Sequence, residues 1–589
     1  MDNSLLGGSR WNTFEGWDAN EVLKGDSLLV GCPMNNKLES IKGRLLGLQP
    51  KRHLLSVAPT RSGKGVSLII PNLLLYQGSV IVIDPKGENA WVTAEYRRKM
   101  GQKTIILDPW GEVNRRYGDL AGEQETIAQF NPLSILKSES PHYADDIAYL
   151  ADALIINQGK DPHWDDSARE LVAGLMAYLV EKGKQGATLS AVRFLLGQPA
   201  SEISKIAQDT SELGPESVAA RKLGRFAIDS KEVASIISTA LTQTAFLDSA
   251  TLAENMMETD FSFEDLINKK ATIYLVLPVD KLQTYGRWLR LMVSIGIRTV
   301  ARNVRPLPLP VLFMLDEFGT IGRLSAVSQA YGLMAGLQMI IWVFIQDLVQ
   351  LKRDYPEDWE TFIGNSSAVT FMNVMDQFTA KYLSDLCGVT TVERISEATA
   401  QARMKGGGPN YSRMSDQVFS RPLIQPAEIR NVTRELGIMI WPDQPIDFRP
   451  IRYQDEPFFL ERARLDPHFP NMIDGKLKML GARVAPKILP NIEAVYAALE
   501  KQGCKFNRGW GGKIKVNNGA GEMVFADETT LLKCARDQIV KFIVMRDDGK
   551  AYAEKAAQEE TPSFPSGLWF LPTPEQIPQP EPSPTTYAF

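Results

Sequence analysis

The stretch Ala58-Pro59-Thr60-Arg61-Ser62-Gly63-Lys64-Gly65 constrains this 589-residue chain more than any other. An apolar run, Leu54-Leu55-Ser56-Val57, precedes it, and a helical pattern over 66–76 follows. Strand, glycine-bearing turn and helix in that order make a cradle for phosphate. Backbone N–H groups at the helix start point at the anion, and the positive end of the helix dipole favours it. Lys64 would reach the β- and γ-phosphates of a nucleotide, with Thr60, Arg61, Ser62, Gly63, Gly65 and Val66 around it. The stretch departs from G-x-x-x-x-G-K-[ST] at both ends: Ala58 replaces the first glycine, and Gly65 replaces the hydroxyl that usually touches magnesium. Taken alone, Ser62-Gly63-Lys64-Gly65 suits an ordinary turn as well.

A phosphate cradle that hydrolyses needs a second strand ending in acid. Val311-Leu312-Phe313-Met314-Leu315 is a buried-strand pattern, and Asp316-Glu317 follows it at the carboxyl edge where open α/β sheets bind ligands. Asp316 would hold Mg2+, and Glu317 would orient and deprotonate the attacking water. Two more strand ends fit the same edge. Asp84, after Val80-Ile81-Val82-Ile83, either joins the metal shell or belongs with Lys86 to a polar turn. Gln346, after Ile340–Ile345, either senses the γ-phosphate or caps its strand. Arg61 faces a phosphate or a neighbouring subunit.

Around these motifs, apolar strands and helices alternate: strands over 54–58, 79–84 and 103–108, helices over 66–76 and 89–99. That alternation predicts an α/β domain with a parallel-rich sheet covered on both faces. From 141 to 265 the pattern is helical throughout, which reads as an inserted all-α domain. Strands resume over 272–277, 310–316, 338–344, 368–372 and 436–440. The expected organisation is therefore a lead-in over 1–52, an α/β domain over 53–140 and 266–460, an all-α domain over 141–265, a small α+β appendage over 470–558 and a Pro-rich disordered tail over 559–589. Within the appendage a hairpin is expected from 513–516 and 523–525, with helices over 488–502 and 529–544. Lys405-Gly406-Gly407-Gly408-Pro409 marks a surface loop.

Composition removes several function classes. No run approaches the ~18 apolar residues of a membrane span, and the N-terminus lacks the order of a signal peptide. Four cysteines without a C-x-x-C pair and four scattered histidines argue against a structural zinc site and fit a cytoplasmic setting. A net charge of -5 excludes a uniformly basic coat, while leaving room for a local basic channel.

The combination resembles the TraG-type coupling ATPases of conjugation and type IV secretion. The loop 58–66, Asp84-Pro85-Lys86-Gly87-Glu88, Trp164-Asp165-Asp166-Ser167-Ala168-Arg169, Leu315-Asp316-Glu317-Phe318 with Gln346, and Arg421-Pro422-Leu423-Ile424 with Pro426 and Glu428 carry the likeness, which spans roughly 7–455. Gly8-Ser9-Arg10-Trp11 is similar to the segment that follows the family's membrane anchor. The resemblance implies a RecA-like P-loop NTPase domain, ATP and Mg2+ as cofactors, and a homo-hexamer at the cytoplasmic face of a secretion channel. Its implied partners are single-stranded DNA with a relaxase, or secreted proteins, together with the system's other ATPases and inner-membrane components. The all-α domain would face the substrate.

Three departures qualify it. The usual N-terminal membrane helices have no counterpart, so either the chain was cut after its anchor or it docks through a partner. Leu333 and Met334 stand before Ala335-Gly336, where some members carry an arginine reaching the next subunit; Arg323 is the nearest substitute. Residues 470–589 match nothing in the family.

Three functions follow: an ATP-driven motor for DNA transfer; a receptor for secreted effectors in which nucleotide only stabilises assembly; and a double-strand DNA pump of the FtsK or HerA type. The large helical insert between the Asp84 and Asp316 strands disfavours the last.

Overall fold

The computed structural model describes residues 8–11, 25–33, 46–156, 162–183, 186–228, 230–320, 322–333, 336–398, 413–441, 444–469, 505–508, 514–517 and 522–525. They fall into two compact units, 1–467 and 468–589.

The first unit is built on a sheet of eleven strands. In chain order its strands are β1 (Leu28–Pro33), β2 (Leu46–Leu48), β3 (His53–Val57), β4 (Val80–Asp84), β5 (Lys103–Leu107), β6 (Ala271–Val276), β7 (Val311–Leu315), β8 (Met339–Ile345) and β9 (Ser366–Met372). A two-stranded ribbon, β10 (Val389–Ala398) and β11 (Arg413–Pro422), intervenes before β12 (Gly437–Trp441) and β13 (Gln444–Arg449) complete the sheet. The spatial order is β2-β1-β13-β12-β9-β3-β8-β7-β4-β6-β5. From β9 to β5 every pairing is parallel. The other four strands add an antiparallel wing through β12 against β9.

The parallel strands β3, β4, β6, β7 and β8 are buried along their whole length. Helices on both faces remove every side chain from water, so these strands read as unbroken apolar runs rather than alternating ones. Parallel order also brings the carboxyl ends of β3, β8, β7 and β4 to one edge as neighbours.

Between 141 and 265 the described residues carry the helices Tyr143–Leu154, Pro162–Glu181, Leu189–Leu196, Ala200–Asp209, Val218–Leu223, Lys231–Gln243 and Ala250–Asn255, and 256–264 is turn and loop. The helix Pro162–Glu181 is their axis. Its Gly174 lets Leu223 approach so closely that a Cβ there would lie 2.5 Å from Leu223 Cδ2. The apolar core is continuous from Ile81 and Phe313 in the sheet, through Trp288 and Leu291, to Leu171 and Met176 in the helical segment.

The lead-in holds β1 and β2, which join the wing. Buried Asn72 ties β1 to the helix that follows β3: its amide accepts from Leu29 N–H at 2.7 Å and donates to Leu29 O at 2.8 Å. The β10–β11 ladder of ten paired residues was not foreseen, and the Gly-rich loop expected at 405–409 lies outside the described residues between its strands. Arg421 and Glu428 pair at 2.8 Å where the ribbon runs into the helix Pro426–Val432, and Glu428 also closes that helix's capping box.

In the second unit, β14 (Lys505–Arg508), β15 (Ile514–Asn517) and β16 (Glu522–Phe525) form an antiparallel sheet that contains the expected hairpin. The helices expected over 488–502 and 529–544 and the tail over 559–589 lie outside the described residues. Among the described residues no helix is long and apolar enough to cross a membrane, and Cys32 and Cys387 are buried free thiols.

Candidate nucleotide site

The loop 58–65 rises from the carboxyl end of β3. Ala58 N–H donates to Ile345 O at 2.8 Å, so the loop leaves the sheet tied to β8. Ser62 N–H closes a turn on Pro59 O at 3.1 Å, and Arg61 and Gly63 take left-handed backbone angles, φ 65° and 87°. A non-glycine residue in that region is uncommon and tends to mark a constrained functional turn. The helix beyond Lys64 begins with a π-helical turn, Gly65–Ile69, before the α-helix Ile70–Leu75. Pro71 accounts for it: proline has no N–H and its ring crowds the preceding turn, which widens.

Lys64 lies buried at the loop's end. Its Nζ is 2.8 Å from Asp316 Oδ1 and 2.6 Å from Glu317 Oε1. Glu317, the second residue after β7, takes φ 50°, and its second oxygen accepts from Gln346 Nε2 at 3.0 Å. One lysine, two acids and an amide from three adjacent strand ends thus form a single hydrogen-bonded cluster. Burial pulls the Lys64 pKa down, but the two carboxylates outweigh it and hold it above the usual lysine value. Burial pushes Asp316 up against the pull of Lys64, leaving it raised. Glu317 is pushed the same way by burial, but Lys64 and Gln346 bring it below the usual range.

The other sequence-selected residues surround this cluster. Thr60 and Arg61 are exposed at the rim; Ser62, Gly63, Gly65 and Val66 are half-buried. Ser62 Oγ is buried without a hydrogen-bond partner. Asp84 is 1% exposed, and its oxygens accept from Ala90 N–H at 2.8 Å and Lys86 N–H at 3.4 Å, so they hold the turn into the helix Glu88–Lys99. Burial raises its pKa to about 7, with Asp316 and Asp108 adding to the effect. Lys86 is exposed. Arg323 pairs with Asp358 at 3.3 Å and is half exposed. The Trp164–Arg169 stretch divides: Trp164 is exposed against His163, whereas Asp165 is buried and accepts from Gln243 Nε2 at 2.7 Å.

Two polar residues near these strand ends went unnoticed in the sequence. Gln350 accepts from Gln346 N–H at 3.2 Å and lies so close to Gly319 that a Cβ there would stand 2.0 Å from Gln350 Cδ. Asp108 follows β5, with Oδ1 buried and unpartnered. An acid directly after an apolar strand is the signal that Asp108 shares with Asp84 and Asp316.

A family model described as Type IV secretory system Conjugative DNA transfer matches residues 16–471. The chain belongs to this family. Among curated relatives, the conjugal transfer protein TraG of Escherichia coli is 28% identical over 406 residues, covering 64% of this chain and 61% of the relative. Protein VirD4 of Rhizobium rhizogenes is 30% identical over 420 residues, covering 70% of this chain and 59% of the relative. The match thus spans about three fifths of those relatives' length. Among solved structures, the bacterial conjugative coupling protein TrwBdeltaN70, in complex with sulphate, aligns with TM-score 0.54 and 14% identity over 79% of this chain and 99% of that chain. Plasmid coupling protein TrwB in complex with the non-hydrolysable GTP analogue GDPNP aligns with TM-score 0.50 and 15% identity over 76% and 97%. The sheet described above shares the RecA-like fold of these structures.

Proposed function

We propose that this chain is an ATP-hydrolysing coupling motor that brings a DNA–relaxase or protein substrate to a type IV secretion channel and drives its transfer. The observation that carries the reading is the Lys64–Asp316–Glu317–Gln346 cluster at the shared carboxyl edge of β3, β7 and β8. The donor set suits ATP with Mg2+. A buried lysine answers the phosphates, a buried Asp suits a divalent cation, and the unpartnered Ser62 hydroxyl lies in the loop itself. When bound, Mg2+ would supply neutralisation of charge on the phosphate oxygens.

The chain's own part is positional. Asp316, with Asp84 behind it, would hold the metal, since Gly65 offers no hydroxyl. Lys64 would turn from the two carboxylates to the phosphates. Glu317, then freed from Lys64 and still held by Gln346, would orient a water and accept its proton. Gln346 would register the γ-phosphate through that same bond. Arg61 and Thr60, exposed on the rim, would meet the nucleotide's outer face or a neighbouring subunit. We assign residues 141–265 to substrate contact, in a homo-hexamer assembled at the inner face of the cell membrane through its partners.

The test is ATP turnover by wild type, Lys64→Ala and Glu317→Gln, with and without single-stranded DNA. Turnover in wild type that both substitutions remove supports the motor. No turnover in any state of assembly defeats it and leaves the effector receptor.

A further inference from the structure

The carbonyl of Val66 has no helical partner. In the π-helical turn that opens at Lys64, Ile70 N–H is spent on Gly65 O. The next donor along the helix would be residue 71, and Pro71 has none. Tyr453 supplies the bond from far along the chain: its N–H donates to Val66 O at 3.0 Å. The phosphate loop and its helix are therefore completed by a segment that follows the last strand of the sheet.

That segment, 451–467, is a strap across the helices that open after β3 and β4. Its Ile451, Tyr453, Phe459, Leu460 and Ala463 are buried. At its far end Arg464 N–H donates to Val92 O at 2.9 Å, and Trp91 Nε1 donates to Leu465 O at 2.9 Å. The Arg464 guanidinium lies 3.8 Å from the Trp91 ring centroid, reaches Glu125 Oε1 at 2.7 Å and pairs with Glu123. A cation stacked on indole and paired with two acids is a specific anchor, not a passive connection. The segment ends at Pro467, and His468 begins the second compact unit.

We propose that the strap is a clasp thermodynamically linked to nucleotide occupancy of the loop 58–65; this rests on the nucleotide reading above. Seated, it keeps the turn at 65–69 wide by satisfying Val66 O, and so fixes the amides that would face the phosphates. Lifted, it leaves a carbonyl unpaired and the turn free to rewind, and the cradle loses its shape. Linkage is reciprocal: whatever the strap contributes to nucleotide affinity, nucleotide returns as strap stability.

The experiment uses the full-length chain and ADP with magnesium as the probe. Tyr453→Pro removes the donor, Arg464→Ala removes the distal anchor, and Pro71→Ala in the Tyr453→Pro background returns an N–H to the helix. Tyr453→Pro should weaken ADP binding roughly tenfold, the cost of one unpaired buried acceptor. Pro71→Ala should recover most of that loss, which a merely damaged fold would not allow. Arg464→Ala should weaken ADP several-fold and carries the test if Tyr453→Pro does not fold. In wild type, ADP should slow hydrogen exchange across 451–466. Folded strap variants that bind ADP within about twofold of wild type, with strap exchange indifferent to ADP, overturn the proposal. A wild type that binds no ADP overturns the nucleotide reading instead.

Discussion

The Lys64 ammonium stands 2.6 Å from Glu317 Oε1 across 253 residues of sequence. Asp316 shares the same ammonium at 2.8 Å, so the two acids keep the lysine occupied until phosphate competes for it. Removing it leaves two buried carboxylates facing each other. Lys64→Ala should therefore destabilise the fold by about 3 kcal/mol near neutral pH. The sign of its pH dependence follows from Glu317. With Lys64 present its folded pKa is depressed, and the stability this gives is present above the unfolded value and lost as pH falls. In Lys64→Ala that contribution is gone, so wild type and variant should converge in acid and diverge as pH rises. Thermal melts from pH 4 to 8 check this.

Asp84 behaves in the opposite sense. Its folded pKa is raised from 3.8 to about 7, chiefly by burial. The folded state then binds the proton that the unfolded state has lost, and stability declines as pH rises between those values. Asp84→Asn keeps an oxygen for Ala90 N–H and removes the charge. It should raise Tm at pH 7.5, flatten the decline between about pH 4 and 7, and weaken the magnesium dependence of nucleotide binding.

Arg97 is a structural cation with no acid beside it among the described residues. It is 0% exposed, and its guanidinium donates to Leu73 O, Tyr76 O, Gly78 O, Gln102 Oε1 and Thr272 Oγ1. The carbonyls of Leu73 and Tyr76 end the helix after the phosphate loop, where the helix dipole is negative. Burial still brings its pKa down to about 10. Arg97→Leu should cost about 3 kcal/mol or more by leaving several buried acceptors unpaired. Arg97→Lys should recover only part, because one ammonium cannot reproduce the planar fork. Denaturant melts measure both.

Gly319 leaves no room for a side chain against Gln350. Gly319→Ala should displace Gln350 from Gln346 N–H and disturb the Gln346–Glu317 bond. The expected loss is about 1–3 kcal/mol in stability, with turnover falling further than nucleotide affinity. Equal losses in affinity and turnover would place the effect in binding alone.

Much of the site was legible because it lies at strand ends. A buried parallel strand declares itself as an apolar run, and the first polar residue after it marks the edge; Asp84, Asp316 and Gln346 were found that way. The joining of these ends was not legible. Nothing in the local pattern says that Lys64 meets Glu317, or that Arg97 reaches five acceptors as far apart in the chain as Leu73 and Thr272. The wing strands β12 and β13 and the ribbon β10–β11 are short or weakly apolar segments; β12 and β13 pair with each other locally, but their places in the sheet are decided by distant β9 and β1. The widened turn at 65–69 did leave a trace, Pro71, but its consequence at Tyr453 depends on contacts that the sequence does not order.

The loop at Lys64 and the acids after β7 should act as one nucleotide site. Isothermal titration of magnesium–ATP into the full-length chain, alongside Lys64→Ala and Glu317→Gln, tests it most directly. Wild type should bind saturably, Lys64→Ala should lose binding, and Glu317→Gln should bind as well or more tightly, because the lysine has one acid less to leave. Binding by Lys64→Ala equal to wild type, or no binding by wild type at all, would contradict this.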